Sequence, residues 1–164
     1  MKDMKRAIIY ARVSSSGSLE SRQSTERQVI DLTDYANRNS MTISKTFEEH
    51  ISGAKRNEER AVLTECIEYA ISNRVDVVLF SELSRCGRAV WEVLDTIRTL
   101  KDNGINAYFQ KEGLSLFSED GRENIYLAIM ISVLSSASQI ERENLIFRLK
   151  SGRKVYVDKN LAAT

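Results

Sequence analysis

The sequence predicts an α/β fold: a mostly parallel central sheet flanked by helices and followed by a long C-terminal helix. Three observations lead there. Short strand candidates recur at Ala7–Val13, Thr42–Phe47, Val75–Phe80 and Ile105–Phe109, the first an apolar run with β-branched residues. The segments between them carry apolar residues at helical spacing. After Arg122 the alternation stops and one long helical stretch takes over. Strands that alternate with helices pair in parallel and are covered on both faces.

Ala7–Val13 (AIIYARV) reads as a buried strand. Ser14–Ser18 is a Ser/Gly loop. Ser21 to Asn39 reads as a helix, with Val29, Ile30, Leu32, Tyr35 and Ala36 on its apolar side. Thr42–Phe47 is the second strand, and Ser52–Asn57 a polar loop containing glycine. Glu58–Arg74 is helical, with Val62, Leu63, Cys66, Ile67, Ala70 and Ile71 in register. Val75–Phe80 is the strongest strand. Ala89–Asn103 is a helix stopped by Gly104, and Ile105–Phe109 is the next strand.

From Asn124 to Ile140 no residue is charged. The stretch is too short, and too rich in serine (Ser132, Ser135, Ser136, Ser138), to span a membrane. It reads as the first half of a long helix that packs on the domain or on another subunit. The second half is solvated and basic: Arg142, Arg148, Lys150, Arg153, Lys154 and Lys159 stand against Glu143 and Asp158. The expected organisation is an α/β domain over 1–121, a helix over 122–158 and a tail over 159–164.

Composition sets limits. A chain of 164 residues is long enough for one domain with its own core, without disulfides or a structural metal. The net charge of +1 does not announce a nucleic-acid binder, so any basic surface is local. Cys66 and Cys86 lack metal-ligand spacing and read as reduced thiols. The charged start runs straight into the first strand, with no signal-peptide core. These features predict a cytoplasmic protein with no metal and no membrane contact.

Two places carry candidate chemistry, both where a strand leaves the sheet. Sites in such sheets lie at the carboxyl ends of strands. Ser14 follows the first strand, and Arg12, two residues earlier, shares its side if the strand persists. Ser84-Arg85-Cys86-Gly87-Arg88 follows the strand Val75–Phe80 closely. In a parallel sheet both loops emerge at one end, and a hydroxyl would then sit among Arg12, Arg85 and Arg88. Arginine's planar fork suits phosphate oxygens and stays charged at physiological pH. Phosphoryl transfer needs positioning and charge stabilisation above all, and a serine nucleophile would form a covalent phosphoserine. The lone histidine, His50, and the lack of a G-x-S-x-G elbow disfavour a serine hydrolase. The lack of glycine-rich phosphate motifs disfavours a nucleotide enzyme.

These residues resemble the resolvase–invertase family of serine recombinases. Tyr10-Ala11-Arg12-Val13-Ser14 is similar to the family's N-terminal signature. Ser24-Thr25-Glu26-Arg27-Gln28 resembles its S-x-x-x-Q, and Glu49-His50-Ile51-Ser52-Gly53 its acidic residue and S-G. Arg60-Ala61-Val62-Leu63 resembles its R-x-x-L, and Leu83-Ser84-Arg85-Cys86-Gly87-Arg88 its L-[DS]-R-x-G-R. Gln139-Ile140-Glu141-Arg142-Glu143 resembles the E-R-E of its long helix. All occur in the family's order.

The resemblance implies a role for each matched position. Ser14 attacks the scissile phosphate and becomes joined to a DNA 5′ end. Arg12, Arg85 and Arg88 hold that phosphate. Gln28 and Arg60 assist at the site's edge, Tyr10 supports the sheet, and Glu49 stands where the family usually has aspartate. Glu141 and Arg142 bind DNA or stabilise the helix arrangement. Arg148, Lys150, Arg153 and Lys154 contact double-stranded DNA, and phosphate contacts of that kind give affinity without sequence choice. The family needs no cofactor and acts as a homodimer that pairs into a tetramer through the long helix. Its members come from bacteria, phages and mobile elements. They carry a further recognition domain, helix-turn-helix or zinc-containing, which is not expected within these residues. The alternatives are a non-catalytic assembly module that keeps the fold and a small phosphate-binding regulator.

Overall fold

The strand Lys5–Ser15 (β1) is an interior strand of the sheet, paired along both edges. The computed structural model describes residues 4–15, 19–52, 61–87 and 89–162, and only the backbone of 14–15, 19–23, 51–52 and 155–162. After β1 come α1 (Leu19–Arg38), β2 (Met41–Ser52), α2 (Ala61–Ser72), β3 (Val77–Phe80) and one turn of 3-10 helix (Leu83–Cys86). Then follow α3 (Val90–Asp102), β4 (Asn106–Phe109), β5 (Leu114–Ser115) and α4 (Ile125–Ala162). The strand order is β2-β1-β3-β4-β5, parallel except for the antiparallel β4–β5 pair. The α/β class predicted from the alternation is the one observed.

The composition of β1 and β3 explains their central places. Ala7 to Ala11 and Val77 to Phe80 are all shielded from water, as strands covered on both faces must be. Ala7, Ile9, Val77 and Leu79 form one core with Leu32 and Ala36 of α1. Successive side chains of a strand face opposite ways. Tyr10, Phe80 and Phe109 therefore build a separate aromatic layer on the other face, with ring centroids 5.7 and 5.5 Å apart.

A β-bulge interrupts the β1–β2 ladder. Ala7 pairs with Ile43 but Ile8 pairs with Lys45. The extra residue, Ser44, donates its hydroxyl to the Ala7 carbonyl (3.3 Å). An unbroken strand would hold positions 41, 43, 47 and 49 on one face. Instead Met41 and Ile43 pack with the α1 core, whereas Phe47 meets Tyr69 of α2 edge-on. The bulge switches the face and carries Glu49 to the α2 side.

Several boundaries differ from the sequence reading. The expected loop Ser14–Ser18 starts later, because Ser14 and Ser15 still pair with Ile51 and Ser52. Backbone hydrogen bonds hold this end of the ladder although three of these four residues are serines. Ser52 accordingly belongs to β2, and the rest of Ser52–Asn57 lies outside the described residues. β5 was not expected. It spans two residues, too few for any periodicity, and Asn106 extends the pairing with its side-chain amide: Nδ2 donates to the Phe117 carbonyl (3.2 Å) and Oδ1 accepts the Phe117 N–H (2.9 Å). α3 stops where Gly104 adopts φ 66°, the left-handed conformation that glycine takes without strain.

The chain forms two compact units, Met1–Ala128 and Ile129–Thr164. Leu127, at the start of α4, is buried in the first. The second consists of the remainder of α4, where Ile129, Val133 and Ile140 are each more than half exposed. Among the described residues no helix is long and apolar enough to cross a membrane.

Candidate active site

In the observed strand order the chain turns outward in opposite directions from β1 and β3. A crevice opens at such a switch point, at the carboxyl ends of the two strands. Both candidate chemical segments lie there. Ser14 is the penultimate residue of β1, and the 3-10 turn carrying Ser84 and Arg85 follows β3.

Hydrogen bonds tie the two strand ends together. The guanidinium of Arg12 donates to the carbonyl of Ser84 (3.0 Å) and, at longer range, to that of Gly87 (3.5 Å). Gln28 of α1 bridges the same gap: its Nε2 donates to the Arg12 carbonyl (3.5 Å) and its Oε1 accepts from the Ser81 hydroxyl (3.1 Å). Thr96 of α3 donates to the Cys86 carbonyl (2.8 Å). Gly87 packs so closely on α3 that an added Cβ would lie 2.6 Å from both the Glu92 Cβ and the Val93 nitrogen. Only glycine fits there, which explains the glycine between the two arginines of the loop.

Arg85 makes an ion pair with Glu82 (2.8 Å), and its Nε is buried without a hydrogen-bond partner among the described residues. The other oxygen of Glu82 pairs with Lys111 (2.9 Å). The hydrogen bond from Lys111 is the main reason the Glu82 carboxyl sits below the ordinary carboxylate range, with smaller contributions from Ser84 and Arg85. The turn after β4 braces the same loop. Lys111 donates its backbone N–H to Ser81 (2.9 Å), and Glu112 accepts the Leu83 N–H (3.1 Å).

Below the loop, on the α2 side of the sheet, Tyr10 donates its buried hydroxyl to Oε2 of Glu49. Burial first, and then the neighbouring carboxylate, push the Tyr10 hydroxyl far above its ordinary pKa. It remains a donor at any physiological pH. The second oxygen of Glu49 is buried and has no hydrogen-bond partner among the described residues. Glu49 lines a cleft of about 470 Å3 between α2 and α3, together with Tyr10 and Arg12. Burial likewise raises the thiols of Cys66 and Cys86, leaving them unreactive. Among the described residues no cluster of His, Cys, Asp and Glu is arranged to hold a metal.

The structure therefore brings Tyr10, Arg12, Gln28, Glu49 and Arg85 to one end of the sheet, with the backbone of Ser14. The side chain of Ser14, and Arg60 and Arg88 altogether, lie outside what is described. Glu141, Arg142, Arg148, Lys150, Arg153 and Lys154 are exposed along α4, in the second unit. Sequence reasoning missed Ser81, Glu82, Thr96, Lys111 and Glu112. Position alone could have flagged the first two, since they directly follow β3. Nothing local marks the others.

Comparisons with known proteins identify the family and the fold. The family profile "Resolvase, N terminal domain" matches residues 7–161. A resolvase of Clostridium perfringens is 31% identical over 145 residues, covering 88% of this chain and 68% of that protein. The transposon Tn2501 resolvase of Escherichia coli is 29% identical over 150 residues, 91% of this chain and 70% of its own length. Among solved structures, a resolvase family site-specific recombinase from Streptococcus pneumoniae superposes with a TM-score of 0.69 at 28% identity, covering 90% of this chain and 95% of that one. The N-terminal catalytic domain of TP901-1 integrase gives 0.61 at 29% identity, covering 85% and 98%.

Proposed function

The chain belongs to the resolvase family of serine recombinases, and we propose that it cleaves and rejoins double-stranded DNA through a covalent bond to Ser14. The Ser14 oxygen attacks the phosphorus of a backbone phosphodiester. The bond from phosphorus to the 3′ oxygen breaks, that oxygen leaves as a hydroxyl, and the 5′ phosphate stays on the serine. Attack by a 3′ hydroxyl of a second strand reverses the step and releases the serine. Each bond broken is replaced by one of the same kind, so the exchange needs no outside energy source.

One observation carries this reading. Arg12 binds the carbonyls of Ser84 and Gly87, which joins the end of β1 to the arginine-bearing loop at the switch point. Arg12, Arg85 and Arg88 are assigned to the phosphate, where fixed cations stabilise charge as it develops. Tyr10, Gln28 and Glu49 support them, and Arg60 belongs at the edge.

α4 would serve assembly and DNA. Tyr126, Val133, Ile140 and Phe147 recur every seventh residue, all more than half exposed, which is the spacing of a helix that pairs with another. This supports a homodimer and, on two DNA sites, a tetramer. Glu141 and Arg142 stabilise that arrangement, and Arg148, Lys150, Arg153 and Lys154 contact phosphates. A division into an α/β domain and an assembly helix would follow these roles, with the helix running over Ile125–Ala162 rather than the expected 122–158. The work would take place in the bacterial cytoplasm, where the DNA is.

Fragmented genomic DNA of the host, incubated with the protein and then denatured, tests the mechanism. The wild type is expected to retain DNA by its 5′ end through an alkali-sensitive serine link, and Ser14→Ala none. If the wild type forms no such adduct, or Ser14→Ala still does, the nucleophile is wrong and the assembly-module reading takes over.

A further inference from the structure

Glu82 has no part in the chemistry assigned to Ser14 and the arginines, yet both of its oxygens are engaged. Oε1 holds Arg85 at 2.8 Å and Oε2 holds Lys111 at 2.9 Å. Only 17% of its side-chain surface is exposed. Two features of this cluster are informative together. The guanidinium that the proposed function assigns to a phosphate is occupied by a carboxylate of its own loop. It is also poorly satisfied there, because its Nε is buried with no hydrogen-bond partner among the described residues. A buried unpaired N–H is costly and calls for an explanation. An arginine with one strong ion pair and one unsatisfied N–H leaves its position readily when a better anion arrives. A phosphate offers that anion, since it can accept from two nitrogens of the fork at once.

Lys111 completes the device. It is 72% exposed, so it needs no burial to form its pair, and its backbone is pinned to Ser81. When Arg85 leaves, Glu82 keeps a cation on its other oxygen and does not become an unpaired charge in a half-buried place. The release is therefore cheap, and the carboxylate is held back from following the arginine.

We propose that Glu82 parks Arg85 away from the phosphate site in the DNA-free protein and that Lys111 retains Glu82 when DNA draws the arginine out. The contact is autoinhibitory: an arginine held by Glu82 through one terminal nitrogen presents fewer of its N–H groups, and a partly neutralised charge, to a phosphate. This inference rests on the assignment of Arg85 to the scissile phosphate.

The test is single-turnover formation of the Ser14–DNA adduct by the full protein, on a DNA fragment recovered in the experiment above. Glu82→Gln removes the charge but keeps the shape, and is expected to speed adduct formation about fivefold, the size of one partly exposed ion pair. Lys111→Met leaves Arg85 as the only cation on Glu82 and is expected to slow it by a similar factor. A carboxylate that merely positioned Arg85 for catalysis would give slower reactions in both variants, and a purely structural one would change neither rate. Either result overturns the parking role. Arg85→Ala separates the two levels. If it forms adduct at the wild-type rate, the assignment of Arg85 fails and the parking role with it. If it is inactive while Glu82→Gln is not faster, the assignment stands and the parking role alone is lost.

Discussion

Apolar sequence meets opposite fates in β1 and α4. Every residue from Ala7 to Ala11 is buried within the chain, whereas Tyr126, Val133, Ile140 and Phe147 of α4 are all more than half exposed. The strand finds its partners in β2, β3 and α1, so its hydrophobic surface stabilises the domain that contains it. The helix exposes its regular apolar series, which matches a surface that another helix would cover. One chain thus holds a domain with its own core and a helix whose regular apolar series is left uncovered.

Substitutions in the two regions should separate these roles most sharply. Leu79→Ala is expected to lower unfolding free energy by about 2–5 kcal/mol, read from denaturant midpoints. The pair Val133→Asp and Ile140→Asp should leave that value nearly unchanged while abolishing self-association in sedimentation. Equal losses of stability in the two variants would mean that the helix belongs to the domain core, and the contrast would collapse. A smaller effect is expected on DNA affinity. Replacing Arg148, Lys150, Arg153 and Lys154 with glutamine should weaken binding to all sequences alike and reduce the salt slope by about one for each phosphate no longer neutralised. An unchanged slope would leave α4 to protein contacts alone.

The smallest effect concerns the loop after β3. Glu82 titrates below the ordinary carboxylate value of 4.5 in the folded chain. The stability it contributes is therefore complete above that value and is lost as pH falls through its lower folded value. Melting curves from neutral to strongly acidic pH should show this loss, and Lys111→Met should reduce it, because Lys111 is its largest cause. A variant that tracks the wild type throughout would show that the pair does not matter to stability.

Much of the scaffold was legible in the sequence because it is encoded locally. The apolar runs of β1 and β3, the helical spacing of α1 to α3 and the stop at Gly104 each lie within a few residues of their cause. Arg12 and Arg85 were legible as candidates for holding a phosphate because arginine's charge and fork geometry do not depend on its surroundings. Two kinds of feature were not legible. β5 is too short to have a pattern, and its pairing is extended by an Asn106 side chain. The polar ends of β1 and β2 look like loops because their pairing rests on backbone groups that every residue carries.

By itself the sequence determined the α/β class, the alternation of its longer strands and helices and the family to which the chain belongs, since these follow from short-range periodicity and from motifs in a set order. Only the tertiary structure decided which groups meet. The bulge at Ser44 turns Glu49 toward Tyr10. Arg12 reaches the Ser84 carbonyl across 72 residues of chain, and Lys111 of the turn after β4 arrives beside Glu82. Such contacts depend on strand register and on loops returning to one sheet edge, and no local pattern of residues specifies either.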